Sequence, residues 1–417
     1  MSGALKSTGR PVVVVGAGAA GLACAADLIA SGVATKVLEA SNAAGGRMRT
    51  DIVDGFVVDR GFQVFNTAYP QIKRRLNLRD LSLRPFTPGV QVHTDARRVR
   101  LYDPLRRPAA VGGFVEGGLV SARDALALGA MSARDMLLPA ALIKQGSHRT
   151  TRAALRGAGI SDSLIEQVLR PFLAGVFLDD QLETDSRVFH LVWRSMLRGT
   201  LCLPADGIEA VPRAMVRALP SGALQTDTAV AELTDEGVIT AAGAVIPAAA
   251  VVVAAGPETT AALLPNTPVP AYRTVTTYYH CAGRAPLDEP ALVVDAHGRL
   301  LNTCVLTQVS KTFSADSRSL IATSVLGVDE PGRQAQVRHV LSEMYGTDTD
   351  PWQLVAARTV THALPVMTPP HSLSTSSRVG PGRYVCGDLR ATGSVQGAMA
   401  SGARAAREVI HDLTRHR

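Results

Sequence analysis

The chain has 417 residues, of which 46% are hydrophobic, 19% charged and 4% aromatic, and it carries a formal net charge of +7. That length exceeds what one compact core usually supports, so two domains are expected, and the composition is that of a globular protein rather than a disordered one. So few aromatics leave no base-stacking surface for nucleic acid, and five scattered cysteines without a CxxC pair (Cys24, Cys202, Cys281, Cys304, Cys386) argue against a disulfide framework or structural metal and for a reducing, cytoplasmic compartment.

Four valines, Val12 to Val15, run into Gly16-Ala17-Gly18-Ala19-Ala20-Gly21, an Ala- and Leu-rich stretch follows, and Lys36-Val37-Leu38-Glu39 closes a second apolar run. This reads as strand, tight turn, helix, strand. Gly16 allows the turn, Gly18 lets the backbone approach a pyrophosphate, and Gly21 lets the helix lie close to the sheet. The pyrophosphate would sit on the N–H groups and positive dipole end of the helix. Glu39, 18 residues beyond Gly21, is placed to bind ribose hydroxyls. Residues 11–35 are apolar enough to mimic a signal peptide or membrane span, but Asp27 and several glycines interrupt them. A soluble chain with a loose leader over 1–9 is expected.

Ala40 opens a loop through Gly45-Gly46-Arg47-Met48-Arg49-Thr50, whose amides and guanidinium groups suit phosphate or a polar ring. Residues 51–59 read as a hairpin turning at Asp54-Gly55, followed by Arg60-Gly61-Phe62-Gln63-Val64-Phe65. The order GxGxxG, acid, GGRxRT and a hairpin ending in D-x-G resembles the amine-oxidase superfamily of FAD enzymes, which includes amine oxidases, protoporphyrinogen oxidase and carotenoid desaturases. The resemblance implies FAD rather than a nicotinamide, with Arg47 and Arg49 near the pyrophosphate and flavin. It also implies that Gly61, Phe62 and Gln63 lie against the isoalloxazine ring.

Between residues 70 and 110, Lys73, Arg74, Arg75, Arg79, Arg84, Arg97, Arg98, Arg100, Arg106 and Arg107 face only Asp80, Asp95 and Asp103, an excess equal to the net charge of the whole chain. An ordinary solvated surface is the first reading and peripheral contact with an anionic membrane the second. Residues 121–136 and 160–168 have helical spacing, the latter with Ser161 as N-cap. Leu169-Arg170-Pro171-Phe172 through Asp179 reads, on the residues alone, as a buried apolar loop; it resembles a helical substrate-domain stretch of the desaturase branch. Leu203-Pro204-Ala205-Asp206-Gly207 resembles a family Pro-x-Gly-Gly segment, with a helix expected over 213–219 and a strand from Thr228. By the same resemblance Val230 contacts the adenine through its backbone. Val251 to Ala255, ending at Gly256, reads as a buried parallel strand.

Strands are expected over 273–280, 292–294, 300–308 and 320–328, with a helix over about 332–345, and together they would wall a substrate cavity. His280 and His362 are read as structural. The chain closes with Gly387-Asp388, then Thr392-Gly393-Ser394-Val395-Gln396-Gly397-Ala398 and an Ala-rich helix. This segment resembles the last FAD motif of the superfamily. There the equivalent of Asp388 contacts the ribityl–phosphate region, and the helix start around Ser394, Val395, Gln396 and Ala398 stabilises negative charge on the flavin.

The expected fold is α/β: a Rossmann-type FAD-binding domain assembled from residues 10–69, 200–256 and 376–417, and a substrate domain with a mixed β-sheet and inserted helices from 70–199 and 257–375. No Ser-His-Asp, GxSxG or metal-ligand cluster is present, which suits hydride transfer to a flavin. Amine oxidases place a lysine in the strand aligned with 272–279, where this chain has Thr276 or Thr277, and an aromatic residue where it has Ser394. These departures favour an oxidoreductase of the desaturase or dehydrogenase/oxidase type acting on an apolar small molecule, with the electron acceptor left open. The alternatives are an amine oxidase, a non-redox isomerase or mutase, and a non-catalytic flavin-binding protein. The flavin is expected to be non-covalent, because only Cys386 lies in the usual linkage region.

Overall fold

The computed structural model describes residues 9–95, 97–102, 106 and 119–415. The leader residues 1–8, and Asp103 and Arg107 of the basic stretch, lie outside the described residues.

The six-stranded sheet has the order Leu224–Gln225, Thr35–Leu38, Val12–Val15, Ala250–Val253, Arg383–Val385, Arg378–Gly380. All pairings are parallel except the last. Val12–Val15 sits centrally between Thr35–Leu38 and Ala250–Val253, and all four of its residues are buried. A strand covered on both faces needs no polar alternation, which is why four valines in a row form one. Val12 and Val14 face the first helix, Ala19–Ala30, and the terminal helix, Val395–Arg415. Val13 and Val15 pack on the antiparallel strands Val230–Thr234, Gly237–Thr240 and Val245–Pro247. The two helices meet backbone to backbone at Gly402, where a Cβ would lie 2.1 Å from the Ala20 carbonyl oxygen.

The second large sheet has seven strands in the order Gln353–Pro365, Tyr272–Ala282, Ser319–Leu326, Asn302–Val305, Val293–Asp295, Gly89–His93, Arg98–Tyr102. Only the pair Val293–Asp295 and Gly89–His93 is parallel. Helices between residues 122 and 198 pack on its Gly89–Tyr102 end through Leu155, Ile165, Leu173 and Phe189. The Asp54-Gly55 turn forms as expected between Thr50–Val53 and Phe56–Asp59, with both turn residues at positive φ (49° and 76°).

Three stretches differ from the sequence expectation. Arg170–Phe177 is a helix, not a loop, because Pro171 falls in the first turn, where a missing N–H costs nothing. The helix expected over 160–168 starts on the Ser161 cap but widens to a π-turn at Ile165–Leu169. The strand expected over 300–308 is Asn302–Val305, after which Leu306–Val309 turns into a helix. In the basic stretch, Arg75 is buried against Asp27 at 2.7 Å and Arg74 reaches the same carboxylate. Arg98 lies over the Tyr345 ring, Arg100 approaches Glu289, and Arg106 donates to the carbonyls of Met196 and Leu197. Much of that positive charge is engaged within the fold.

Candidate functional site

The glycines of the first motif differ in what holds them. Gly16 has φ +101°, and a Cβ there would lie 2.8 Å from the Ala254 carbonyl oxygen. A Cβ on Gly21 would lie 2.0 Å from the Gly16 carbonyl oxygen, so the helix could not seat on the strand. Gly18 has nothing within 4 Å of where its Cβ would be. The protein's own packing therefore does not require glycine at 18, whereas a ligand lying against the backbone does. Gly18 is also the N-cap of the first helix and provides no side-chain cap, so the first-turn amides of Ala19, Ala20 and Gly21 are left for an external acceptor. This donor set fits a pyrophosphate.

Glu39 ends the second strand with its carboxylate held. It accepts from Ala17 N–H at 2.7 Å, Ser41 N–H at 2.9 Å and Ser41 Oγ at 2.7 Å. A carboxylate has further lone pairs to offer a ribose hydroxyl. Ala40 is exposed beside it, and the chain approaching Val230 runs alongside, with Thr228 N–H donating to the Glu39 carbonyl. Gly45 pairs with Gly18 across an isolated parallel bridge, and a Cβ on Gly46 would touch Gly18 Cα at 3.5 Å. The second glycine pair thus lies directly on the first motif.

The two arginines that follow separate. Arg47 donates to the carbonyls of His362 (3.1 Å) and Ala363 (2.8 Å) and to Asp388 Oδ2 (2.7 Å). Burial opposes its charge, yet the Asp388 carboxylate prevails and raises its pKa. Arg49 is buried and turned the other way, donating to Glu209 Oε2 (3.1 Å), the Ala43 carbonyl (3.0 Å) and Asn42 Oδ1 (3.1 Å). It shapes the loop that carries Gly45 and Gly46.

Gly61, at φ +135°, lies against Val360, where a Cβ would be 3.2 Å from Cγ2. Phe62 N–H donates to Thr277 Oγ1 at 3.3 Å, and the Gln63 amide donates to the Arg47 carbonyl at 2.8 Å. At the far end of the chain, a Cβ on Gly393 would lie 2.9 Å from Pro365. The strand Gln353–Pro365 therefore runs from Gly61 to Gly393 and joins the Gly61 segment, the Arg47 loop and the last motif through Val360, Ala363 and Pro365.

Gly387 is at φ +141°, and its N–H donates to Ser401 Oγ. Ser394 caps the terminal helix by accepting from Gly397 N–H at 2.9 Å, and its carbonyl accepts from Ala398 N–H. Val395 begins that helix, and Gln396 accepts from Gln71 N–H at 2.9 Å, tying it to the helix Pro70–Arg75.

Sequence reasoning missed Tyr272, Asp59 and Glu209 as contributors and marked Thr277 only as the place of an absent lysine. The Tyr272 hydroxyl donates to Asp388 Oδ1 at 3.1 Å, so both oxygens of Asp388 are engaged. Burial, with Asp388 next, raises the Tyr272 pKa and keeps it a donor. Asp59 of the D-x-G motif is buried and accepts from Thr50 Oγ1 (2.6 Å) and Ile208 N–H (3.0 Å). Burial lifts its pKa to about 6 against those two bonds. Glu209 and Thr277 complete the set. Their partners lie far away in sequence, and only the D-x-G motif offered a signal. Cys386 is fully buried next to Cys24, whose thiol is pushed up by that contact and by burial.

Known proteins share this fold. The family described as flavin containing amine oxidoreductase matches residues 19–410. Coproporphyrinogen III oxidase from Bacillus subtilis (strain 168) is 28% identical over 187 residues, 41% of this chain and 37% of that protein. Protoporphyrinogen oxidase 2 of Arabidopsis thaliana is 38% identical over 77 residues, 18% of this chain and 15% of that protein. The chain thus covers well under half the length of either curated relative. An oxidoreductase from Methanosarcina mazei superposes with a TM-score of 0.72 at 15% identity, covering 96% of this chain and all of that one. The chain belongs to the flavin-containing amine oxidoreductase family of FAD-dependent oxidoreductases.

Proposed function

We propose that this chain oxidises a mostly apolar small molecule, as a desaturase or a dehydrogenase/oxidase, with non-covalent FAD held by residues 10–69, 200–256 and 376–417. The substrate would lie between that unit and residues 70–199 and 257–375. One observation carries the reading: the side chain of the strand Tyr272–Ala282 that meets the Phe62 backbone is a neutral threonine. In the strand Tyr272–Ala282, Thr277 is buried, accepts from Phe62 N–H and bonds Ser324 Oγ, and the strand contains no lysine. Ser394 is used as a helix cap, so no aromatic ring stands there to hold a neutral amine. An apolar cluster of Val275, Leu301, Leu326, Ala363 and Leu364 adjoins this strand.

FAD, when bound, supplies the ring that accepts the hydride. The chain supplies the rest. The amides at Gly18–Gly21 bind the pyrophosphate and Glu39 a ribose. Gly61, Phe62 and Gln63 offer backbone to one side of the ring. The N-terminal end of the helix starting at Val395 faces developing negative charge with its dipole. Arg47, fixed by Asp388 and two carbonyls, orients the last motif against the second. The apolar side chains exclude water from the reacting C–H bond.

Anaerobic mixing of the FAD-loaded protein with candidate substrates tests this. Coproporphyrinogen III and protoporphyrinogen come first, since the curated relatives carry those names, followed by polyenes, steroid-like lipids and simple amines. Bleaching of the flavin band by a porphyrinogen or apolar compound, and not by amines, is expected. Faster bleaching by amines would overturn the substrate class, and a colourless purified protein that yields no flavin on denaturation would overturn the whole reading.

A further inference from the structure

The helix Ala122–Leu137 packs Met131, Leu128, Ala125 and Ala127 on the protein yet also exposes an apolar strip. At about 100° per residue, Ala122, Leu126, Ala130, Ala133 and Leu137 fall on one narrow strip of its surface. All five are exposed, Leu126 at 76% and Leu137 at 77%. The opposite pole, packed on the protein, carries Met131 together with Asp124 and Asp135. Those two carboxylates are satisfied inside: Asp124 by Ser121 and Ser161, and Asp135 by Arg134 and His190. Two buried carboxylates on one side and leucines in water on the other depart from the ordinary surface helix. The strip continues into Ala140–Lys144, where Ala141 and Leu142 are again exposed.

Along the helix itself the exposed formal charge has one sign, and the exposed carboxylate of Asp162 near Arg123 is paired with Arg156. Asp124 and Asp135 are the only acids between residues 119 and 149, and both are buried, so Arg123, Arg134, Lys144 and Arg149 carry every exposed formal charge of that stretch. Arg123 and Arg134 line one flank of the strip. Arg194 and Arg198 bring two more cations to its C-terminal end, donating to the carbonyls of Leu138 and Met136. A packed protein core needs no cationic rim, whereas an anionic bilayer surface requires both parts: apolar side chains for the acyl boundary and lysine or arginine for the headgroups.

We propose that this face docks on an anionic lipid bilayer, with Leu126, Leu137 and Leu142 entering the headgroup boundary. The proposal does not depend on the identity of the substrate. It also moves the membrane contact from residues 70–110, whose arginines are largely engaged, to the helical side of the second domain.

Co-sedimentation of the full-length, FAD-loaded protein with vesicles tests it. Binding to phosphatidylglycerol/phosphatidylcholine vesicles is expected, falling with salt and weak on phosphatidylcholine alone. Leu126→Glu with Leu137→Glu should reduce partitioning at least tenfold, and Arg123→Glu with Lys144→Glu several-fold with loss of the salt dependence. All four positions are exposed, so the melting temperature and flavin spectrum should stay as in wild type. No vesicle binding, or equal binding by the double glutamate variant, would overturn the proposal. So would a lipid-independent dimer in sedimentation velocity that the leucine substitutions dissociate, because the strip would then join two copies of the chain.

Discussion

The two large sheets are built from different chemistry. In the parallel sheet, Val12 to Val15 and Val251 to Val253 fill both faces, and cohesion comes from apolar burial. In the seven-stranded sheet, the buried positions include Thr276, Thr277, Thr303, Thr323 and Ser324. Their hydroxyls bond one another and their neighbours: Thr276 to Thr359 at 2.9 Å, Thr277 to Ser324 at 3.2 Å, and Thr303 to Thr323 at 3.0 Å and to Tyr345 at 3.1 Å. Burial without direction tolerates small shifts, whereas a hydroxyl ladder fixes register and orientation. The first sheet serves as a platform. The second holds a wall whose side chains must not move.

The strongest break of the platform is Gly21→Ala. The new Cβ falls on the Gly16 carbonyl oxygen, and the stability lost should be about 3 kcal/mol or more, read by chemical denaturation or as insoluble protein. Gly18→Ala sharpens that result, because the site is open in the protein. Its stability should stay within about 1 kcal/mol of wild type while FAD affinity, measured by titration of the apoprotein, falls at least tenfold. Exchanging the chemistry of the sheets should hurt both. Val252→Thr buries a hydroxyl among valines and should cost about 1–3 kcal/mol. Thr303→Val strands the Thr323 and Tyr345 hydroxyls and should cost about 1–2 kcal/mol. If Thr303→Val proved neutral in urea titrations, the ladder would be incidental.

The smallest effect lies where the second sheet meets the hairpin Thr50–Asp59. The Tyr279 hydroxyl, from the second sheet, donates to the Asp59 carbonyl at 2.8 Å. The Asp59 carboxyl titrates near 6 when folded and near 4 when unfolded. The folded state therefore binds this proton more tightly, and the associated stability is full below about pH 4 and is lost as the pH rises through about 6. Asp59→Asn keeps an acceptor for Thr50 and Ile208 and removes the titration. The melting temperature of wild type relative to this variant should fall between about pH 4 and 6.5 and level off above.

The platform was legible because its signals are local. Val12 to Gly21 sets strand, turn and helix within ten residues; outside the platform, Asp54-Gly55 sets a turn by itself and Ser161 caps its own helix. The wall was not legible, since Tyr272 finds Asp388 and Asp59 finds Ile208 across more than a hundred residues, which no periodicity records. Thr277 was marked only as the place where a lysine is missing; its bonds to Phe62 and Ser324 depend on strand register. Arg49 was expected near the ligand because Gly45-Gly46-Arg47-Met48-Arg49 resembles a second FAD motif of the family. Its buried bond to Glu209 shows that neighbours in a loop can serve opposite sides of it.

The central place of Val12–Val15 also sets a timetable. Of its two flanking strands, one, Ala250–Val253, leaves the ribosome more than two hundred residues after it. At about 5–20 residues per second, that wait lasts on the order of ten seconds or more. Through it an all-valine edge stays open to any passing strand. Arg383–Val385, which pairs with Ala250–Val253, comes later still. Yield in a cell should therefore depend on how well that early edge is shielded during synthesis, and slowing translation over residues 40–250 should lower the soluble fraction without altering the finished protein.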